Sequence, residues 1–209
     1  MTAVTAPRLR DRDSTPPFAA LRDVAGIALR VPADRWFAPA EPVELRTLAL
    51  AIGPVLDIGC GPGRHVRALA EQAIPALGID ITERALVHAR SLGVPVLARC
   101  VFDALPGAGR WRTALLLDGN IGIGGDPVRL LARACELLAP GGRILVEVEA
   151  PGCASEVQPV SFEIDGAAGP MFEWVAIDPD GLAGIVAEVG LRLERVWCDT
   201  GRWFGLITR

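Results

Sequence analysis

The chain has 209 residues, of which 51% are hydrophobic and 22% are charged, and this size and composition fit one globular domain with a full core. Its net charge of −4 argues against a nucleic-acid surface, which needs a basic patch. Lysine and tyrosine are both absent, which excludes Schiff-base lysine chemistry, a P-loop lysine and tyrosine-based hydride transfer.

The cysteines and the apolar runs exclude further classes. Five cysteines are widely spaced without a C-x-x-C pair, so neither a zinc site nor a disulfide framework is predicted, and we expect no metal. No apolar run approaches the roughly 18 residues of a membrane helix. Residues 1–17 lack the apolar segment of a signal peptide. We therefore expect a cytoplasmic protein with no membrane or nucleic-acid partner, and the sequence makes no prediction of its oligomeric state.

The first third of the chain divides into a polar arm and a helical approach to the first strand. Residues 1–17 are charged and proline-bearing, which predicts a disordered or loose arm, and residues 18–209 are predicted to form a single domain. Scattered helical spacing runs from Phe18 to Arg35. The spacing of Leu45, Leu48 and Ile52 predicts a short amphipathic helix with these residues on its apolar face.

From residue 53 onward, strands and helices alternate. The predicted strands cover residues 54–58, 76–80, 94–101, 113–118, 144–148, 191–198 and 203–208, and helices lie between them. Only residues 199–202 separate the last two strands, which is too short for a crossover, so this pair must be antiparallel. The pattern predicts an α/β fold with a doubly wound, mostly parallel seven-stranded sheet and an antiparallel C-terminal hairpin. Residues 151–177 interrupt the alternation as an inserted hairpin.

A glycine-rich turn follows the first strand of this alternation. Asp57 to Gly63 has the pattern D-x-G-x-G-x-G, whose third glycine comes one place too early for the dinucleotide fingerprint. The alternative to a ligand loop is a plain strand-to-helix turn. The pattern resembles motif I of the class I S-adenosylmethionine (SAM)-dependent methyltransferases, and the antiparallel C-terminal hairpin resembles their fold. The segment 118–127 and the ending Gly201-Arg202-Trp203-Phe204 are similar to a set of bacterial methyltransferases.

Residues that close successive strands form the candidate cofactor site. An acidic residue about 20 positions past a glycine turn suits a ribose diol, so Asp80 is a ribose ligand or, alternatively, a helix N-cap. The resemblance implies that Ile81 packs on adenine, that Val101 and Phe102 sandwich it, and that Asp103 accepts from its amino group. The alternative for the last two is a solvated Asp beside a core Phe. The candidate cofactor-binding residues are Asp57, Gly59, Cys60, Gly61, Pro62, Gly63, Asp80, Ile81, Val101, Phe102, Asp103, Asp118 and Gly119.

The resemblance implies methyl transfer from SAM to a small-molecule acceptor by in-line displacement, in which the protein chiefly supplies positioning. The N/D-P-P-Y/F motif of many amine and nucleobase methyltransferases is absent after the fourth strand. The candidate catalytic residues are Asn120 and His65, with Asp118 as a further possible base. Asn120 would orient the acceptor or hold the amino group of SAM. The alternative for His65 is a capping or solvent-facing histidine.

Two irregular segments carry the aromatic residues that the strands do not use. We expect the N-terminal segment around Trp36 and the inserted hairpin around Phe172 and Trp174 to form a lid that selects the acceptor, or else to pack as minor cores. Two other functions stay open. The first is that of a non-catalytic SAM-binding regulatory or partner protein. The second is that of another nucleotide-type transferase on the same fold, which would use decarboxylated SAM or NAD(P).

Overall fold

A computed structural model describes residues 19–23, 34–164 and 167–209. Its strands are β1 (Ala19–Asp23), β2 (Val55–Ile58), β3 (Ala76–Asp80), β4 (Val96–Ala98), β5 (Trp111–Leu116), β6 (Leu138–Val148), β7 (Gln158–Ile164), β8 (Ala167–Trp174), β9 (Arg192–Asp199) and β10 (Arg202–Thr208). Its helices are α1 (Asp34–Phe37), α2 (Pro42–Leu48), α3 (Arg64–Glu71), α4 (Glu83–Ser91), α5 (Pro127–Leu137) and α6 (Pro179–Glu188), with a 3₁₀ turn at Asn120–Gly122.

Seven strands form the main sheet in the order β4-β3-β2-β5-β6-β10-β9. The first five strands in this order pair in parallel, and β10 pairs antiparallel with both β6 and β9. The predicted fold class is therefore confirmed. The chain leaves β2 toward one edge and returns to β5 on its other side, which makes the β2–β5 boundary the switch point of the strand order. Ligands of open α/β sheets bind beyond the carboxyl ends of the strands at such a point.

Burial and capping explain why these segments form. All four residues of β2 are at most 1% exposed, as expected of a central parallel strand covered on both faces. Helix α5 begins with Asp126, whose carboxylate accepts from the Arg129 amide, and a proline follows at the first helical position. Helix α6 repeats this start, because the Asp178 carboxylate accepts from the Gly181 amide.

A second, three-stranded sheet has the order β1-β7-β8, and both of its strand pairs are antiparallel. The helical spacing predicted for Phe18 to Arg35 is wrong at Ala19–Asp23, which is a strand that pairs with β7, whereas Asp34–Phe37 is a single helical turn. Residues 24–33 lie outside the described part of the chain, as does the predicted arm at residues 1–17.

The approach helix α2 presents a different face from the one its leucines predict. Its buried residues are Val43, Glu44, Thr47 and Leu48, whereas Leu45 is 40% exposed. Glu44 lies inside because it meets cationic side chains there. Two strand bounds also differ from the prediction, since β4 covers only Val96–Ala98 and β6 already begins at Leu138.

Among the described helices, none combines the length and the apolar character needed to cross a bilayer.

Candidate active site

A cavity of about 140 Å³ opens at the carboxyl ends of β2, β3 and β5, at the switch point of the main sheet. It brings together residues as far apart in the sequence as Trp36 and Trp174. Ten of the sequence-predicted site residues line it: Gly59, Cys60, Gly61, Pro62, His65, Asp80, Ile81, Val101, Asp118 and Asn120. Five do not: Asp57, Gly63, Phe102, Asp103 and Gly119.

The glycine turn needs its glycines for conformation and for space. Gly59, Gly61 and Gly63 have φ values of 74°, 52° and 84°, in the left-handed region that favours glycine. A Cβ on Gly59 would lie 2.7 Å from Nδ2 of Asn120, whereas a Cβ on Gly61 would meet nothing within 4 Å. The turn therefore packs tightly on one side and faces open space at its tip.

Asp80 holds this turn from the end of β3. One carboxylate oxygen accepts from the Gly61 amide at 2.8 Å, and the other accepts from the Thr82 amide at 2.7 Å. Burial raises the pKa of Asp80, and the two backbone amides partly offset that effect. Thr82 is the N-cap residue of α4, so Asp80 lies two residues before the cap position. Its carboxylate joins the glycine turn to the wall of the cavity.

In the segment after β4, the chain faces the cavity up to Val101 and turns away from it at Phe102. Val101 lines the cavity together with Ile81, which is 53% exposed at the mouth. Phe102 instead lies under the Arg129 guanidinium, 4.1 Å from it, and packs against the main core. Asp103 is exposed, and its carbonyl accepts from Arg133. The structure therefore brings Val101, but not Phe102 or Asp103, to the cavity.

Asn120 ties the loop after β5 to the glycine turn. Its Nδ2 donates to the carbonyls of Ile58 and Gly59, both at 2.9 Å. These two bonds use both amide hydrogens. Of the predicted roles for this side chain, they favour accepting a hydrogen bond through Oδ1 from an ammonium group.

A buried charge cluster lies beside the cavity. Arg64, at the start of α3, is its centre, with Nη2 donating to both Asp118 oxygens at 2.7 and 2.8 Å and to Oε1 of Glu44. Arg35 of α1 also donates to Asp118, at 3.1 Å. Burial alone would raise the pKa of Asp118, but Arg64 and the other cations outweigh it and lower the pKa. Asp118 is thus a paired anion.

Arg202, at the start of β10, closes the cluster from the far side. Its Nε and Nη2 form a two-pronged pair with Glu147 at 2.7 Å each, and its Nη1 donates to Glu44 at 2.9 Å. Glu147 in turn accepts from the Asp118 amide at 2.8 Å. Asp118 has a φ of 56°, so Arg202 and Glu147 help to hold a strained backbone position beside the cavity.

His65 is neither a cap nor solvent-facing, because it is only 4% exposed. Its Nε2 lies 3.6 Å from Glu44 Oε1 and its Nδ1 lies 3.7 Å from Asp57 Oδ2. Burial favours the neutral imidazole, but the two carboxylates outweigh it and raise the pKa of His65 to about 9. The imidazole is therefore protonated at neutral pH, which speaks against the predicted role of base. Asp57, at most 1% exposed, serves here as its partner.

Aromatic side chains from the N-terminal segment and the inserted hairpin wall the cavity opposite the glycine turn. Trp36 follows Arg35 in α1, and Phe172 and Trp174 come from β8. The end of β8 is fixed to the loop after β5, since the Gly124 amide donates to the Glu173 carbonyl and the Val175 amide donates to the Gly122 carbonyl. Gly119 lies under Trp174, where an added Cβ would be 3.3 Å from the indole.

Several residues of the site gave no motif in the sequence. Arg64 occupies the place of a glycine in the dinucleotide pattern, and Glu44 lies on a helix between apolar neighbours, which is a signal for a buried partner. Arg202 belongs to the C-terminal ending that resembles bacterial methyltransferases. Burial raises the pKa of the Cys60 thiol. No group of metal-ligating side chains occurs within the described ranges.

Comparisons with known proteins agree with this geometry. Residues 55–142 match a family model described as a methyltransferase domain. A ubiquinone biosynthesis O-methyltransferase of Methylococcus capsulatus is 30% identical over 54% of this chain and 55% of its own length. A second such enzyme, of Chromobacterium violaceum, is 29% identical over 46% of this chain and 44% of its own. The chain spans about half the length of the curated relatives it matches.

Solved structures show the same fold. A SAM-dependent methyltransferase from Bacteroides fragilis, in complex with S-adenosylhomocysteine, superposes with a TM-score of 0.78 at 23% identity and covers 94% of this chain and 89% of its own. A 1,6-didemethyltoxoflavin-N1-methyltransferase from Burkholderia thailandensis superposes with a TM-score of 0.62 at 21% identity, covering 85% and 81%.

Proposed function

We propose that this chain, which has the fold of the class I SAM-dependent methyltransferases and matches a methyltransferase-domain model over residues 55–142, transfers the sulfonium methyl group of SAM to a small-molecule acceptor. One observation supports this most. A single cavity at the switch point gathers the glycine turn, the acidic end of β3, an apolar residue after β4 and a polar pair after β5. Each part suits a different portion of one nucleoside–amino-acid cofactor.

The residues present fit SAM in chemistry and in space. The open side of Gly61 lets a ligand approach the backbone, and Asp80 offers carboxylate oxygens to a ribose diol. Ile81 and Val101 supply the apolar contact that an adenine face needs. Oδ1 of Asn120 is an acceptor suited to the methionine ammonium. We assign the cofactor to these five residues.

The proposed role of the protein is positioning. SAM supplies an electrophilic methyl group on a cationic sulfur, so no metal or oxyanion hole is required. Asp118 is held by Arg64 and Arg35, and His65 is protonated, so neither side chain is set up to accept a proton. What the chain contributes is the fixed orientation of cofactor and acceptor, which is worth several kcal/mol in well-aligned reactions, on the order of 7–11 at most.

The acceptor is proposed to be a small molecule because the proteins that this chain resembles include a ubiquinone biosynthesis O-methyltransferase and a 1,6-didemethyltoxoflavin-N1-methyltransferase. We assign it to the cavity side walled by Trp36, Phe172 and Trp174, with the N-terminal segment and the hairpin acting as a cover. This assignment does not require a membrane or nucleic-acid partner, and the predicted cytoplasmic location belongs to the same proposal.

Calorimetry of the full chain with SAM, S-adenosylhomocysteine and NAD tests the cofactor. We expect the first two to bind and NAD not to bind. Asp80→Asn should raise the Kd of SAM roughly 10–100-fold, since hydrogen bonds to a charged group are worth about 1.5–3 kcal/mol. Asp103→Asn is the matched control and should bind SAM as the parent chain does, because Asp103 does not line the cavity. If Asp80→Asn binds SAM as tightly as the parent, the ribose assignment is wrong.

The cover has its own test. Trp174→Ala should raise the KM of the acceptor while the Kd of SAM and the urea midpoint stay close to those of the parent chain. Trp197→Ala, in β9 away from the cavity, is the control for simple loss of an indole. A joint loss of SAM affinity and stability in Trp174→Ala would show that this residue belongs to a minor core.

A non-catalytic SAM-binding protein is the second candidate, and the pairing of both titratable groups near the methyl-transfer end favours it. The two functions separate when the chain is incubated with SAM and cell extract. An enzyme converts SAM to S-adenosylhomocysteine faster than the extract alone, whereas a binding protein leaves the rate unchanged.

A further inference from the structure

The end of the cavity that we assign to the cofactor base is formed by the residues that follow β3 and β4. The lining residues at this end are Ile81, Thr82, Arg99, Cys100 and Val101. The backbones of the two segments lie side by side, because Asp80 pairs with Ala98 and the Arg99 amide donates to the Asp80 carbonyl at 3.0 Å. Arg99 therefore stands directly beside the acidic end of β3.

This end lacks the acceptor that the amino group of adenine would need. The acidic residue expected in that role, Asp103, does not line the cavity, and Arg133 holds its segment in place. Nε of Arg133 donates to the Val101 carbonyl at 3.0 Å, and Nη2 donates to the Asp103 carbonyl at 2.7 Å. The Cys100 carbonyl accepts from the Asp103 amide at 3.1 Å. The carbonyls of both lining residues after Arg99 are thus already in use.

The carboxylates that do line the cavity are engaged elsewhere. Among the described residues they are Asp80 and Asp118. Asp80 accepts from the amides of Gly61 and Thr82 and is assigned to the ribose, and Asp118 is paired with Arg64. The Thr82 hydroxyl, which lies against Asp80, can donate or accept and so does not select a base. No carboxylate is left to receive an exocyclic amino group.

The polar group that remains at this end is the guanidinium of Arg99. Its side chain is exposed at the mouth of the cavity, and no residue in the described ranges accepts a hydrogen bond from it or forms an ion pair with it. A guanidinium has five N–H donors in a planar fork and no acceptor. Such a fork pairs with O6 and N7 of a 6-oxopurine, whereas adenine presents N7 next to an amino group that is itself a donor.

Building on the proposed function, we propose that Arg99 recognises the cofactor base as a hydrogen-bond donor, so that the site binds a 6-oxopurine nucleoside of homocysteine at least as well as the 6-aminopurine one. Arg99 gives two N–H bonds to the oxopurine and one to adenine. A site that accepted from the amino group would show the opposite preference. Its acceptor would be left unpaired against O6, at a cost of roughly tenfold in affinity or more.

Calorimetry of the full chain with two ligands tests this preference. S-inosyl-L-homocysteine carries a 6-oxo group where S-adenosylhomocysteine carries the 6-amino group, and the sugar and the amino acid are the same. We expect the Kd of the inosyl compound to lie within about threefold of that of S-adenosylhomocysteine, or below it. A higher Kd than that shows that an acceptor recognises the amino group, and it overturns the proposal.

A substitution tests whether Arg99 is the residue responsible. Glutamine pairs through its amide with N6 and N7 of adenine, so Arg99→Gln should shift the ratio of the two Kd values toward S-adenosylhomocysteine by about fivefold or more. Arg84→Gln is the matched control, since Arg84 is an exposed arginine of α4 that does not line the cavity, and its ratio should stay that of the parent. The ratio is insensitive to partial unfolding, because both ligands bind the same folded fraction. An unchanged ratio in Arg99→Gln refutes the role of Arg99.

The outcomes separate this inference from the proposed function. If neither nucleoside of homocysteine binds and SAM does not bind, the cofactor assignment is wrong and the inference about Arg99 falls with it. If S-adenosylhomocysteine binds but the inosyl compound is rejected, or the ratio does not respond to Arg99→Gln, the recognition of the base by Arg99 is wrong while the cofactor assignment stands.

Discussion

Replacing Arg64 by methionine should be among the most destabilising single changes in this chain. Arg64 is 6% exposed, and its Nη2 bonds both oxygens of Asp118 as well as Glu44. Methionine fills most of the same volume, so the loss is mainly that of charge and hydrogen bonds. Removing one partner of a buried ion pair costs about 3–5 kcal/mol, because the other charge stays buried without its partner. That is a large fraction of the roughly 5–15 kcal/mol by which domains are stable.

The assay is urea unfolding followed by far-ultraviolet circular dichroism and tryptophan fluorescence. Arg67→Met is the matched control, since Arg67 lies on the same helix and forms an exposed pair with Glu71 at 3.0 Å. Exposed pairs of this spacing are worth only about 0.3–0.5 kcal/mol. The double variant Arg64→Met/Asp118→Asn should recover part of the loss, because it removes one of the unpaired carboxylates. If Arg64→Met costs no more than Arg67→Met, the buried cluster does not stabilise the fold as argued.

Two further predictions follow from the same region. Gly59→Ala should abolish measurable SAM binding while leaving the chain folded, because its Cβ would meet Asn120 at 2.7 Å and its φ is 74°; calorimetry and circular dichroism check this. Gly93→Ala is the control and should bind SAM as the parent chain does, because Gly93 has a similar φ of 73° and open space for a Cβ and does not line the cavity. The thermal midpoint should fall as the pH rises from 6.5 to about 9, and the pH dependence of His65→Gln should be flatter. The pKa of His65 is about 9 in the folded chain and 6.5 in the unfolded chain, so its stabilisation of the fold is complete below pH 6.5 and lost above pH 9. Equal slopes for parent and variant would show that His65 does not titrate as assigned.

The seven-stranded sheet could be read from the sequence because its signals are local. Apolar runs, helix starts at Asp126 and Asp178 and the short link at residues 199–202 each fix one step of the chain. The parallel or antiparallel sense then follows from connection length alone. Only half of the three-stranded sheet was predictable, since a hairpin signal lies within residues 151–177 but the residues of β1 that pair with β7 lie 137 to 145 positions away in the sequence. Nothing local in Ala19–Asp23 distinguishes a strand that pairs elsewhere from a helical segment.

The sequence predicted those cavity residues that directly follow the end of a strand. Asp80 and the glycine turn meet there because strand ends share one edge of a sheet. The same rule predicted that Val101, Phe102 and Asp103 would all line the cavity after β4. Only Val101 does so. The charge cluster could not be predicted from the sequence. Glu44, Arg64 and Arg202 come from three separate elements, and only their packing shows which of the 21 arginines are buried.

The pairing of β1 with β7 has a consequence for exchanging parts between related proteins. Ala19 to Asp23 and Val160 to Ile164 supply complementary halves of one ladder, so neither segment can be transplanted alone without leaving an open edge of backbone donors and acceptors. A chimera that receives residues 151–177 from a relative should fold and accept the relative's substrate only if it also receives the donor's first strand. Under the proposed function, selection of the acceptor is thus inherited as a pair of segments, separated by the proposed cofactor-binding half of the chain.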